Sequence, residues 1–243
     1  MVLESYITRL KLSLGFIPRT GLDSEWVARV DECLEKVVDW TTQNIDSNYF
    51  VKPKEEFFNS FGRVLPEDEF YQMRMNYFLE WCVLERPVSG RTDGQTPSSL
   101  FLQDTSNESQ KESREFWASV VGAHRHSVFE VIASSDTVII VRDLLARHIY
   151  RIMSQPGVTL KFFVRKMIFQ GFIYGFGGLY RLGSGYIIHP DGARYTITRQ
   201  IKSRDCPESD VLKKLALVNM RFRRMQHVES KQIYTQYLRL IQS

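Results

Sequence analysis

The stretch from Phe129 to Pro190 constrains this chain most. It sets short runs of Val, Ile and Phe between strong backbone breakers. Ser127-Val-Phe-Glu-Val-Ile-Ala133 and Thr137-Val-Ile-Ile-Val-Arg142 are rich in β-branched and aromatic side chains, which fit a pleated, half-buried surface. The polar Ser134-Ser135-Asp136 between them reads as a turn, and Asp143-Leu-Leu-Ala146 as a second. The Asp143 carboxylate can bond nearby backbone amides there. Arg147 to Met153 alternates polar and apolar, and Gln155-Pro156-Gly157 breaks the chain. Val158 to Ile173 is long enough for one bent strand or two. Tyr174-Gly-Phe-Gly-Gly178 supplies permissive backbone for a turn or bulge. Leu179 to Ile188 reads as a last strand, interrupted at Gly183-Ser184-Gly185 and stopped by Pro190. The pattern predicts a small antiparallel β-barrel of five to six strands, a closure that removes exposed sheet edges.

Helical periodicity flanks this region. Trp26, Val30, Cys33, Leu34 and Val37 recur on one face of a helix starting at Asp23 or Ser24 and ending by Asn44. Lys54 to Phe61 is a short aromatic helix or turn. Pro66, followed by Glu67, Asp68 and Glu69, marks the start of a second long helix. Its broad stripe contains Phe70, Met73, Tyr77, Phe78, Trp81 and Leu84, and it stops before Pro87. Thr96-Pro97 opens a short helix through Leu102, and Asn107 or Ser109 opens another that hands over to the strands near His126. After the barrel, Pro190 to Lys202 is a short helix or an extended arm. Ser209 to Met225 is a helix with Val211, Leu215, Val218, Phe222 and Met225 facing inward, and Glu229 to Ile241 is the last. The expected class is α+β: a helical part over 1–126, the barrel over 127–190, and basic C-terminal helices over 191–243 packed on the rest.

The net charge of +4 hides a division. Residues 1–141 carry 14 Lys/Arg against 22 Asp/Glu, a net of −8, whereas residues 142–243 carry 18 against 6, a net of +12. Such asymmetry points to an anionic partner for the second half, or to attraction between the two halves. Cys33, Cys82 and Cys206 are too few and too scattered for a disulfide framework. No run approaches the roughly eighteen apolar residues of a membrane span. Met1-Val-Leu-Glu-Ser-Tyr lacks the basic-then-apolar order of a signal peptide, so a cytoplasmic location is expected.

No chemical motif is complete. His124 and His126 have a metal-like spacing on a strand but no adjacent third ligand, so no metal is expected. Glu80 and Glu85 are paired carboxylates near Arg86, but five residues apart they do not share a helix face, and a helix-end ion pair is the plainer reading. Gly175-Phe-Gly177-Gly178 and Gly183-Ser-Gly185 lack the continuation of a phosphate loop, and Ser184 lacks the surroundings of a hydrolase nucleophile. Catalytic residues and cofactors are therefore expected to be absent. Phe162, Phe163, Phe169, Phe172, Tyr174, Phe176, Tyr180 and Tyr186 interleave with Lys161, Arg165, Lys166 and Arg181. That mixture suits single-stranded nucleic acid if the rings face outward, since bases stack on aromatics while cations track phosphates.

Several pieces together resemble an uncharacterised bacterial protein family. They are Glu80-Trp81, Glu85-Arg86-Pro87, Gly94-Gln-Thr-Pro97 leading to Phe101-Leu102, Ser127-Val-Phe-Glu-Val131, Arg142-Asp-Leu-Leu145 and His189-Pro190. The resemblance covers residues 70–190, with weaker similarity around Arg221 to His227. It implies helices followed by a small β-domain and carries no established activity. Some relatives bear a Cys-rich zinc knuckle at one end. This chain has no such cluster, and no metal site is carried over.

The function expected from these features is that of a non-enzymatic interaction or regulatory protein with a protein partner. The docking surface is the barrel or the basic half, with Lys161, Arg165, Lys166, Arg181, Arg221, Arg223 and Arg224 forming an anion or partner surface. The alternatives are a protein binding single-stranded RNA or DNA through the same residues, and a sensor of a nucleotide second messenger. The sequence leaves the oligomeric state open.

Overall fold

The computed structural model describes residues 24–90, 93–104, 106, 111–155, 157–176, 178–203, 206–225 and 227–240. The irregular lead-in over 1–22, the cap at Asp23, the breaker residue Pro156, Gly177 and the helix start at Asn107 or Ser109 lie outside them. Among the described residues five helices precede the sheet: α1 (Ser24–Asn44), α2 (Val51–Phe61), α3 (Tyr71–Leu84), α4 (Pro97–Gln103) and α5 (Lys111–Ala123). Five strands follow: β1 (Arg125–Ser134), β2 (Val138–Asp143), β3 (Ile149–Met153), β4 (Ile168–Phe176) and β5 (Leu179–His189). A 3-10 turn at Asp191–Ala193 leads to α6 (Arg194–Lys202), α7 (Glu208–Arg224) and α8 (Ser230–Leu240). The α+β class holds.

Neighbouring strands pair in the order β1-β2-β3-β5-β4, and β4 returns to β1, so the ring of pairings closes. Most pairs are antiparallel, but the joint between β3 and β5 is parallel and rests on Ile152 opposite Tyr180. The expected all-antiparallel arrangement is corrected at that joint. A sixth strand is absent among the described residues because the backbone over 157–167 turns instead of extending. Phe163 N–H donates to Leu160 O and Met167 N–H to Val164 O, and Lys166 has φ +74°. Bulges at Val131/Ala133 and Gly171/Ile173 bend the β1–β2 and β4–β5 pairings.

Two further boundaries differ. Helix α3 starts at Tyr71, not Pro66, because Asp68 holds residues 65–71 in turns. Its carboxylate accepts from Leu65 N–H at 2.8 Å and its carbonyl from Tyr71 N–H at 2.9 Å. Strand β5 is continuous from Leu179 to His189, but its ladder to β4 shifts register across Gly183-Ser184-Gly185, between Leu182 opposite Ile173 and Tyr186 opposite Gly171. The Thr96 cap is as expected, accepting from Ser99 N–H at 3.2 Å with Pro97 opening the helix.

The strands divide their apolar residues between two cores. Phe129, Val131, Ile139, Val141, Ile152, Phe169, Ile173 and Leu182 meet one another, together with Leu160 and Phe163 from the 157–167 loop. Val128, Ile168, Phe172, Tyr174 and Ile187 face the other way, into a larger core shared with helices from both ends of the chain. This second face is where the polar groups described below are buried.

Candidate functional site

The basic residues singled out in the sequence scatter. Arg181 is not on a surface: it is 0% exposed, its guanidinium bonded to Asp31 at 2.6 Å and 3.1 Å and to Val27 O at 3.1 Å. It lies over the Tyr174 ring and ties β5 to α1. The correction has a simple cause: the residue faces the helices, and a carboxylate from the acidic half meets it there. Arg224 donates to Arg63 O, Arg223 lies over Phe70, and Arg221 lies over Tyr237, all on the α7 side. Lys161, Arg165 and Lys166 are exposed together on the 157–167 loop. Lys161 pairs with Asp136 at 3.1 Å, while Arg165 and Lys166 form no ion pair among the described residues.

That loop also exposes apolar side chains. Val158 is 50% exposed, Phe162 42% and Val164 55%. Beside them lies a cavity of about 170 Å³ lined by Met153, Val158, Leu160, Phe162, Leu182 and Tyr186. The aromatic series has mostly gone elsewhere: Phe163, Phe169, Phe172 and Tyr174 are buried, and Tyr180 and Tyr186 are half-buried. Four of the rings that a stacking platform would need are therefore core, and Phe162 is exposed. Nothing is described of the Phe176 side chain.

The carboxylates Glu80 and Glu85 do not form the expected helix-end pair with Arg86. Arg86 instead grips Glu56 through two bonds at 2.7 Å and 2.9 Å. Glu80 is buried under β5 and accepts from Tyr174 Oη at 2.9 Å, Ser184 N–H at 3.0 Å and Gly185 N–H at 3.2 Å. Burial pushes its carboxyl up to about 7, opposed by those three hydrogen bonds and by Arg181. The glycines serve this contact. A Cβ on Gly183 would lie 2.5 Å from a Glu80 oxygen, and one on Gly185 would lie 2.0 Å from Tyr77 N. They bring the α3 backbone onto the sheet.

A second set of buried polar groups crosses the same interface as a directed chain. His126 bonds Glu85 through Nδ1 at 2.7 Å and Tyr77 Oη through Nε2 at 2.5 Å. Tyr77 Oη accepts from Gln170 Nε2 at 3.0 Å, and Gln170 Oε1 faces His189 Nε2 at 3.1 Å. His189 Nδ1 meets Tyr234 Oη at 2.8 Å, which accepts from Asn219 Nδ2 at 3.3 Å. Asn219 Oδ1 finally accepts from Arg74 at 3.1 Å and Arg223 at 3.4 Å. Every link has a donor and an acceptor when His126 donates from Nδ1 to Glu85 and His189 is neutral and protonated on Nε2. Burial pulls His189 down to about 3, and the charges of Arg74 and Arg223 pull the same way, which keeps it neutral. Burial alone would raise Glu85, but His126 beside it holds the carboxyl below its ordinary value.

At the cationic end of this chain lies a cavity of about 190 Å³ lined by Phe70, Met73, Arg74, Ile188, Asn219 and Arg223, among others. Sequence reasoning missed Arg74, Gln170, His189 and Asn219. The legible signal was a polar residue inside an apolar stripe: Arg74 lies between Phe70 and Tyr77 on α3, and Asn219 between Leu215 and Phe222 on α7.

His124 and His126 do not converge on a shared ion. His124 Nδ1 faces Val121 O at 2.5 Å while His126 is bound as above, and both rings stack on Phe172. Among the described residues no group of three or more His, Cys, Asp or Glu could hold a metal. Cys33 and Cys82 are buried, and burial raises both thiols, Cys82 to about 12. No helix among the described residues is long and apolar enough to cross a membrane. Comparison of the chain with protein-family models, with curated proteins and with solved structures finds no match.

Proposed function

We propose that this is a non-enzymatic docking protein that presents the 157–167 loop of its closed, barrel-like sheet to an acidic protein partner. The observation that carries the reading is the exposure of Val158, Phe162 and Val164 beside Lys161, Arg165 and Lys166 on one short loop. Apolar anchors within a polar rim are the usual anatomy of a protein interface. The cavity beside Phe162 offers a place for one apolar side chain of the partner, and the exposed Arg165 and Lys166 favour a segment rich in Asp and Glu. The loop is anchored from within by Leu160 and Phe163, so its exposed residues are held on a fixed base.

Affinity capture from the native cell, with and without nuclease, tests the proposal when run beside two variants. Val164→Asp should abolish capture of the specific partner, and Arg165→Glu with Lys166→Glu should slow its association. Both variants should keep the wild-type denaturation midpoint, because the altered side chains are exposed. Capture that survives both variants, or that disappears with nuclease, would sink the proposal. The single-stranded nucleic acid reading draws less support, because most of its rings are buried, and a gel shift with random RNA or DNA at physiological salt would revive it.

A further inference from the structure

The cavity against α3, β5 and α7 holds an unusual pair of charges. Arg74 is buried, yet among the described residues no carboxylate lies within ion-pair distance of it. Its partners are neutral oxygens: Asn219 Oδ1 at 3.1 Å, and at longer reach Ala216 O at 3.4 Å and Phe61 O at 3.5 Å. Arg223 brings a second guanidinium to the same amide oxygen. Two guanidiniums therefore converge on one amide oxygen at the wall of a cavity, and the charge of the buried Arg74 is costly unless an anion completes the site. Burial, and after it the charge of Arg223, pull the Arg74 guanidinium down to about 10. The groups facing the pair have been placed. Asp68 accepts from Leu65 N–H and lies 3.9 Å from Arg224, and Glu69 is exposed where it lines the cavity. Tyr77, Tyr234 and His189 are engaged in the buried chain.

We infer that this cavity binds a small organic monocarboxylate, its carboxylate held between Arg74 and Arg223 and its body against Phe70, Met73 and the β5 residues Ile187 and Ile188. Guanidinium donors match the planar carboxylate, and two converging forks fix its orientation. The apolar walls favour an organic body over a bare inorganic ion. Glu69, lining the same cavity, disfavours a second negative charge. At about 190 Å³ the space is slightly larger than a roughly 150 Å³ cavity known to take benzene, so a ligand of the size of benzoate fits. Asn219 is a positioning residue, since it gathers both guanidiniums on one oxygen.

Titration of the full chain with benzoate, followed by methyl and amide NMR and by calorimetry, tests the assignment, with inorganic phosphate as the comparison. Benzoate should shift the Ile187, Ile188 and Asn219 side-chain signals saturably and raise the melting temperature. Arg223→Met should weaken binding by roughly tenfold to a hundredfold. Arg223 is exposed, so this variant should fold as the parent does, and Arg74→Lys serves as a second check on the buried guanidinium. The inference is overturned by an absence of shifts at either arginine's cavity, by phosphate binding more tightly than benzoate, or by affinity that Arg223→Met leaves unchanged. Docking through the 157–167 loop is independent of this result, since Val164→Asp should leave benzoate binding intact.

Discussion

The tightest constraint in the molecule falls on Gly185. A Cβ there would lie 2.0 Å from Tyr77 N and 2.2 Å from Tyr77 Cα, and both are backbone atoms of α3, so no rotamer change relieves the overlap. Gly185→Ala is expected to cost about 3 kcal/mol or more, at the upper end of overpacking effects, as read from a urea denaturation midpoint. A midpoint equal to that of the parent would mean that α3 does not lie on β5 as described. Gly183 is a milder case, because its neighbour is the movable carboxylate of Glu80. The Gly-Ser-Gly run was visible in the sequence and read as an interruption of the strand. Its use as a landing place for a helix was not legible, since it depends on a residue more than a hundred positions away. Asp143 is the opposite case: its carboxylate accepts from Leu145 and Ala146 N–H at 2.8 Å and 2.9 Å, the local device that Arg142-Asp-Leu-Leu145 announced.

Among the elements, α7 shows how far periodicity reaches. Its predicted stripe is buried at Val211, Leu215 and Val218, but Phe222 is only partly buried. Leu215→Ala should therefore cost about 2–5 kcal/mol and Phe222→Ala under about 2 kcal/mol, because a ring that keeps solvent contact loses less on truncation. Equal losses in parallel denaturant titrations would contradict this ordering. Helix α3 ends at Leu84, before Pro87 as expected, but does not start at Pro66, where the Asp68 side chain competes for backbone donors. Strand propensity misled over 158–167: Val158, Phe162 and Val164 have strand-forming side chains, yet the segment turns so that Leu160 and Phe163 can fill the sheet's core.

For the whole molecule, two buried groups set opposing pH dependences. Burial raises Glu80 from its ordinary 4.5 to about 7, so its contribution to stability is fully present below pH 4.5 and is lost as pH rises through 7. Burial lowers His189 from 6.5 to about 3, so its contribution is present above pH 6.5 and is lost as pH falls towards 3. Between pH 4.5 and 6.5 the two slopes, each about 1.4 kcal/mol per pH unit, cancel. Glu80→Gln removes one of them. The stability of the parent relative to this variant should fall by about 3 kcal/mol between pH 4.5 and 7, measured as urea midpoints across that range. A difference that stays flat would mean that Glu80 does not titrate there. The charge division between the halves also resolves at this scale. Arg181 with Asp31 and Arg194 with Glu130 pair basic residues of the second half with acids of the first, while Arg165 and Lys166 on the 157–167 loop have no ion pair among the described residues.

Local chemistry determined most of the helices and strands and that the chain mixes both classes, but not the turn over 158–167 or the start of α3. Periodicity, caps such as Thr96-Pro97 and β-branched runs act over a few residues and can be read without a fold. The closure of the sheet through the parallel Ile152–Tyr180 joint, the burial of Arg181, and the meeting of Arg74 with Asn219 and Arg223 were decided only by tertiary structure. Each joins residues far apart in the chain. Whether a charged side chain is solvated or buried depends on what those distant segments bring to it, and no local pattern carries that information.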